Sequence, residues 1–240
     1  MHFHSQDGQD KFVANLFDNK KNGFFLDIGA HDGVNLSNSF FLEKNLSWQG
    51  ICVEPNPVIF LKLKANRKCV CLNCCAGDKK GTYQFLAISG EGSMLSGLLN
   101  FMDKDHLERI EKTIRDHGDT KTIIDVPTLP LSDILAEHAV TIVDYCNIDV
   151  EGGEMSVLKS IDFSRVQIRA FTIENNNGGR QVRQFLAPHG YSLIAKLGVD
   201  EVYELHSKRY DLMVKWRIRA IIDRLRRSYS ASTTCNVSSA

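Results

Sequence analysis

The sequence predicts an α/β fold: an open, Rossmann-like, mostly parallel sheet with helices on both faces. Three observations carry this. Phe24–Ile28 is a short apolar run holding Asp27, and a glycine turn follows it. Gly50–Val53 repeats the pattern and ends at Glu54, and Val143–Ile148 ends at Asp149. Segments with apolar residues at helical spacing separate such runs, which is the alternation of a parallel sheet wrapped by helices.

In chain order, Phe12, Val13, Leu16 and Phe17 recur at helical spacing and predict a helix within residues 5–21. It covers one side of a ligand cleft, and Gln9 or Asp10 serves as a helix cap or reaches the cleft. Strand one and its turn follow. Val34–Asn45 then reads as the first crossover helix, with Leu36, Phe40, Phe41 and Leu42 inward. Strand two ends at Glu54. Pro57 suits the first position of the next helix, which carries Ile59, Phe60, Leu61 and Leu63. Cys69–Asn73 reads as strand three, and a turn through Gly77–Gly81 leads into Thr82–Leu86. Ser89–Gly97 is a small, polar, glycine-containing loop. Phe101–His117 reads as a helix with Leu107, Ile110 and Ile114 on one side, and Thr120–Val126 as a strand before Pro127. Leu131–Val140 is helical. Strand four ends at Asp149, strand five (Ala170–Glu174) at Glu174, and Gly179–Leu186 is a helix. Tyr191–Leu197 and Val202–His206 read as closing strands. Residues 208–228 put Val214, Ile218, Ile221, Ile222 and Leu225 on one face and six Lys or Arg on the rest, the pattern of a basic amphipathic helix for a membrane surface, a partner protein or the sheet itself. Residues 229–240 have a disordered composition.

Composition limits the function classes. The 240 residues are 43% apolar, enough for a full core, and the formal net charge is zero, so no nucleic-acid partner is expected. No apolar run reaches membrane-span length, and Met1–Gly8 lacks a secretory signal pattern, so a cytoplasmic protein is expected. Of seven cysteines, Cys71 and Cys74 have the gap of half a zinc site, but nothing completes it; no metal site is predicted and reduced thiols are expected.

The turn after strand one is Gly29-Ala30-His31-Asp32-Gly33, a Gly-x-x-x-Gly spacing rather than the Gly-x-Gly-x-x-Gly of dinucleotide sites. Glycine lets a ligand approach the backbone, and a helix start beyond it would offer free N–H groups. A nucleoside without phosphates suits this turn better than a dinucleotide. Glu54 lies about 20 residues on, where an acid at the tip of the second strand accepts from ribose hydroxyls. A plain strand–turn–helix with a solvated glutamate is the competing reading.

The runs Phe25–Gly33, Ser37-Asn38-Ser39, Phe41–Lys44, Trp48–Pro57 and Asn147–Glu154 resemble the FkbM-type methyltransferases, and the resemblance extends over roughly residues 6–205. It implies a seven-stranded methyltransferase sheet closed by an antiparallel hairpin, with S-adenosyl-L-methionine as cofactor and O-methylation as the common activity. It implies donor-binding positions at Asp27, Gly29, Ala30, His31, Gly33 and Ser37, at Glu54, Pro55 and Asn56, and at Asp149, although Ser37 can equally bond only its own backbone. Beside the adenine, Ala76, Gly77 and Asp78 are candidates, although a simple turn accounts for Asp78 as well. The domain layout is then residues 1–22 as a cleft-covering segment and 23–207 as the methyltransferase domain. Within that domain, 89–127 forms an insertion placed to act as an acceptor lid, or is a surface excursion with no role.

Methyl transfer to a hydroxyl needs an in-line approach and removal of a proton. Asp149 is the first candidate base, with Glu174 and His31 behind it. A divalent cation between Asp149 and Glu174 is another route to the same alkoxide. Glu151 and Glu154 crowd the Asp149 turn, and carboxylates so close repel one another. The acceptor expected is a small-molecule or glycan hydroxyl, on a sugar or a natural product. A nicotinamide-dependent oxidoreductase and a non-catalytic cofactor-binding module are the alternatives. The missing third glycine counts against the first, and the acids at every strand tip count against the second.

Overall fold

A computed structural model describes residues 2–176 and 178–206. The basic segment 208–228 and the tail 229–240 lie outside the described residues. A main sheet of seven strands is built from β1 (Phe24–Ile28), β2 (Gln49–Val53), β3 (Val70–Leu72), β8 (Ile142–Ile148), β9 (Gln167–Glu174), β10 (Tyr191–Leu197) and β11 (Asp200–Leu205). Their order is β10-β11-β9-β8-β1-β2-β3, parallel except where β11 pairs antiparallel with β9 and β10. The expected seven strands and closing hairpin are present. β1 and β8 are neighbours, although six strands separate them in sequence. The connections leave that point in opposite directions, and a crevice opens beyond the strand tips there.

Helices α1 (Gln9–Leu16), α2 (Phe40–Leu46), α3 (Pro57–Asn66), α5 (Leu131–Glu137), α6 (Glu154–Lys159) and α7 (Gln181–Leu186) flank the sheet. Side chains alternate across a strand, so β1 serves two cores. Leu26 and Ile28 join Ile51, Val53, Ile148 and Phe171 on one face. Phe25 joins Phe41, Leu42, Trp48 and Tyr145 on the other. Full burial of one such large side chain stabilises by about 2–3 kcal/mol. Asp27 shares the Phe25 face and Asn147 is its partner in the β1–β8 register, so two polar groups sit beside an apolar layer.

The crossover helix begins later than expected. Asp32 Oδ1 accepts from the backbone N–H groups of Val34 and Asn35, each at 2.9 Å. These bonds satisfy the donors that a helix start would otherwise present to a ligand. Leu36 takes a left-handed φ of 53° and is 45% exposed, not inward. Residues 31–39 are therefore a loop, and α2 begins at Phe40. In α3 Pro57 holds the first position and Ile59 and Leu63 are buried, but Leu61 faces solvent.

A second, four-stranded sheet lies beside the first. It contains β4 (Cys75–Ala76), β5 (Gly81–Ile88), β6 (Gly97–Leu98) and β7 (Lys121–Leu129) in the order β4-β7-β5-β6. The Ser89–Gly97 region is mostly a 3-10 turn (Gly90–Leu95), and α4 (Lys104–His117) packs Ile110 against Leu86, Ile88 and Leu95. β7 runs through Pro127 to Leu129 rather than stopping before it. The segment 89–127 thus shares a folded unit with residues 75–88.

Candidate active site

A cavity of about 370 Å³ opens over the tips of β1, β2, β8 and β9, within the range of small-molecule sites. Its floor is the glycine turn. Gly29 has φ 86°, and a Cβ there would lie 1.7 Å from the carbonyl oxygen of Asp149. Only glycine permits that close approach of the β1 turn to the β8 tip. The N–H groups of Gly29 and Ala30 both donate to Val53 O at 3.0 Å, tying the turn to β2.

Glu54 is 6% exposed and lines the cavity. Its Oε2 accepts from His31 N at 3.0 Å and its Oε1 from Asn56 N at 2.8 Å. Each carboxylate oxygen has two acceptor sites, so one on each remains for a diol. Burial pushes the carboxyl up to about 7, with the two N–H donors pulling the other way. A pair of hydroxyl donors would favour its ionised form. The close-approach turn and this acid suit an adenosyl ribose.

The predicted positions divide into groups. Asp27, Gly29, Ala30, His31, Ser37, Glu54, Pro55, Ala76, Asp149 and Glu174 border the one cavity. Gly33, Asn56, Gly77 and Asp78 do not. Gly33 packs against Leu63 and Arg67. Asn56 caps α3 and holds Glu54 through its N–H. Gly77 N–H donates to Leu129 O, and Asp78 pairs with Ser156 Oγ at 3.0 Å. Ser37 Oγ accepts from the N–H groups of Ser39 and Phe40, closing its own loop. Asp27 is buried, and both its oxygens are taken: Oδ1 by Asn147 Nδ2 at 3.0 Å and Oδ2 by Ser39 Oγ. His31, also with positive φ, turns its ring to the roof, where Nε2 meets Ser93 Oγ at 2.9 Å. Burial lowers its pKa, so the ring is neutral at pH 7.

At the far end Asp149, Glu151 and Glu174 each place a carboxylate oxygen within 4.8 Å of the others. Burial raises the pKa of all three. Neighbouring carboxylates add to it, Glu174 and Glu151 acting on Asp149, Glu174 on Glu151, and Glu154 on Glu174, and Glu151 reaches about 8 and Glu174 about 7. Oε2 of Glu151 and of Glu174 are buried without a hydrogen-bond partner among the described residues. Such a set holds shared protons, or a hard cation that prefers carboxylate oxygens. Glu154 is not part of it. It bends back to accept from Gly152 N at 2.9 Å, in the first turn of α6.

The second sheet supplies the roof. Ser93, Met94, Leu98, Phe101 and Arg109 reach the cavity, and Arg109 draws the pKa of Glu151 and Glu174 downward. His106 Nε2 contacts Leu95 O at 3.0 Å and so carries the proton, while Nδ1 stands 3.5 Å from Glu151. Gln9 reaches the cleft and donates to Asp200 at 2.8 Å rather than capping α1. Sequence reasoning passed over Asn38, Asn147, Asp200 and Arg109. For Asn147, its place two residues before Asp149 on the strand was an available signal, and for Asn38 its place beside Ser37; Asp200 and Arg109 are brought in by distant chain.

The family model of the methyltransferase FkbM domain matches residues 27–193. The curated 31-O-demethyl-FK506 methyltransferase FkbM of Streptomyces tacrolimicus is 24% identical over 194 residues, covering 71% of this chain and 73% of that protein. Among solved structures, methyltransferase FkbM from Methylobacillus flagellatus KT gives a TM-score of 0.47 at 13% identity, over 80% of this chain and 47% of its own. This chain therefore spans about half the length of that relative. The N-terminal domain of human METTL16 in complex with SAH gives 0.41 at 15% identity, over 82% and 68%. The family match covers well over half of the sequence, and the chain belongs to the FkbM methyltransferase domain family, whose members use S-adenosylmethionine as methyl donor.

Proposed function

We propose that the chain is an O-methyltransferase acting on a hydroxyl of a sugar or natural product. The observation that carries this reading is one continuous cavity joining Glu54 and the glycine turn to Asp149 and Glu174. The curated relative, named for the 31-O position of demethylated FK506, agrees with an oxygen acceptor.

S-adenosylmethionine supplies an electrophilic methyl group on a sulfonium. Glu54 would hold its ribose, above the close-approach turn at Gly29. Asp149 takes the acceptor proton, because it stands at the β8 tip beside Glu174 and its burial makes it basic enough to do so. Ionised Glu174 raises the basicity of Asp149. Arg109 and Phe101 from the 89–127 segment close over the acceptor as its lid.

The test is Asp149→Asn with a hydroxyl acceptor found by screening. A kcat loss of about 10²- to 10⁴-fold with unchanged S-adenosylhomocysteine affinity supports the role. Unchanged kcat rejects it. The three convergent oxygens favour one second reading, cation-assisted deprotonation. Chelation leaves the rate unchanged if Asp149 acts as the base; loss of rate restored by Mg²⁺ moves the role to the cation.

A further inference from the structure

Three thiols at the edge of the main sheet take no part in the mechanism above. Cys52 lies on β2, and Cys71 is its register partner on β3, the outermost strand. Cys69 stands just before β3 and packs with Cys71 against the same core as Cys52. All three are free. The Cys69 thiol donates to Cys52 Sγ at 3.5 Å, and the Cys71 thiol turns to Cys69 O at 3.6 Å. Cys52 is fully buried, whereas Cys69 is half-buried at the sheet edge. The S–H···S bond is the first cause that pushes the Cys69 thiol up, because its proton is the one a Cys52 thiolate would share. The Arg67 guanidinium beside both sulfurs favours negative charge on them.

Arg67 is also the brace of the loop that follows the glycine turn. It is buried, donates from Nη1 to Gly33 O at 3.1 Å and from Nη2 to Ser39 Oγ at 3.0 Å, and pairs with Glu43. Glu43 accepts as well from the N–H of Lys68, the neighbour of Cys69, at 2.7 Å. The loop so held borders the cavity through Asn35, Leu36 and Ser37. A change at Cys69 is therefore two residues from the group that fixes one wall of the site.

We propose that Cys52 and Cys69 are a modification site that closes to a disulfide under hydrogen peroxide, and that closure slackens the Arg67 brace. Peroxide reaches Cys69, the accessible sulfur of the pair. An S–O bond forms, the O–O bond breaks and water leaves, giving a sulfenic acid. The Cys52 sulfur then attacks the Cys69 sulfur, the S–S bond forms, the S–O bond breaks and a second water leaves. The two thiols lose two electrons and two protons, and the peroxide is reduced. Closure brings the sulfurs from 3.5 Å to about 2 Å. Cys52 cannot yield, since β2 is paired on both sides. Cys69 yields, because it enters the edge strand, and the chain from Arg67 to Cys69 moves with it.

The test treats the whole chain with hydrogen peroxide and maps its thiols by alkylation and mass spectrometry. Hydrogen exchange of the 33–40 peptide is followed before oxidation, after it and after dithiothreitol. The expected product is a Cys52–Cys69 linked peptide, with Cys74, Cys75 and Cys146 still thiols. Exchange in 33–40 then quickens about 3- to 10-fold and returns to its first rate on reduction. In Cys69→Ser the link is absent and peroxide leaves exchange in 33–40 unchanged. A link made by Cys71 or Cys235 instead, or sulfinic acid at Cys69 with Cys52 still a thiol, overturns the site. A Cys52–Cys69 link with unchanged exchange overturns its hold on the brace. Both readouts are taken on the wild type, so a misfolded Cys69→Ser leaves them decisive.

Discussion

Donor affinity should rise about tenfold between pH 6 and pH 8, because Glu54 must be ionised to receive ribose hydroxyls. Its carboxyl is pushed up to about 7 in the free protein, chiefly by burial. The ionised fraction then climbs from about a tenth at pH 6 to about nine tenths at pH 8. Binding selects the ionised form, so the apparent association constant for S-adenosylhomocysteine follows that fraction and levels off above pH 8. The same shift destabilises the ligand-free protein as pH rises. A raised acid pKa contributes stability below the unfolded value of 4.5, and that contribution is lost by about pH 7. Calorimetry in two buffers of different ionisation enthalpy reads both signals, with up to one proton released per ligand bound near pH 6. Asp27 faces Glu54 and adds a little to its shift, while His31 is already held neutral by burial. Glu54→Ala should flatten the profile and weaken binding about 10- to 100-fold. Glu54→Gln is not a mild substitution, because both oxygens accept backbone N–H groups and one amide end would oppose a donor. Affinity that is flat or falling from pH 6 to pH 8 would refute a carboxylate clasp on the ribose.

Three further outcomes follow from the geometry. Gly29→Ala should lower stability by on the order of 3 kcal/mol and abolish donor binding, since its Cβ would overlap Asp149 O; a melting temperature within two degrees of wild type, by about one-degree scanning error, would contradict this. Asp144→Ala should cost about 2 kcal/mol in denaturant unfolding, because Phe24 N–H loses its acceptor. Lys20 and Arg169 can return to water, so their share is small. Ser93→Ala, which removes the roof partner of His31, should raise KM for the acceptor or donor a few-fold while leaving stability within about 0.5 kcal/mol.

The fold was legible because the central strands are buried on both faces, so apolar runs marked them directly. Glycine at 29 and acids at 54, 149 and 174 could be read from their place at strand tips. The 31–39 loop could not, because its helical-looking pattern was overridden by Asp32 bonding to Val34 and Asn35. The fate of Asp27 was hidden for another reason. Its partner Asn147 is 120 residues away and enters only through the β1–β8 register. The roof was read as an excursion of 89–127, but its sheet also recruits Cys75, Ala76 and the strand from Gly81, which pair with β7 across some fifty residues. The basic segment 208–228 gains no account from the described residues.

The roof meets the acid turn backbone to backbone: a Cβ on Gly152 would come within 2.8 Å of Phe101 O. The seam leaves no room for a side chain, so the height of the ceiling over the three acids is set by main chain rather than by replaceable groups. Lengthening or shortening the 89–127 segment would therefore change which molecules can enter beside the acids, while the glycine-turn floor keeps its shape.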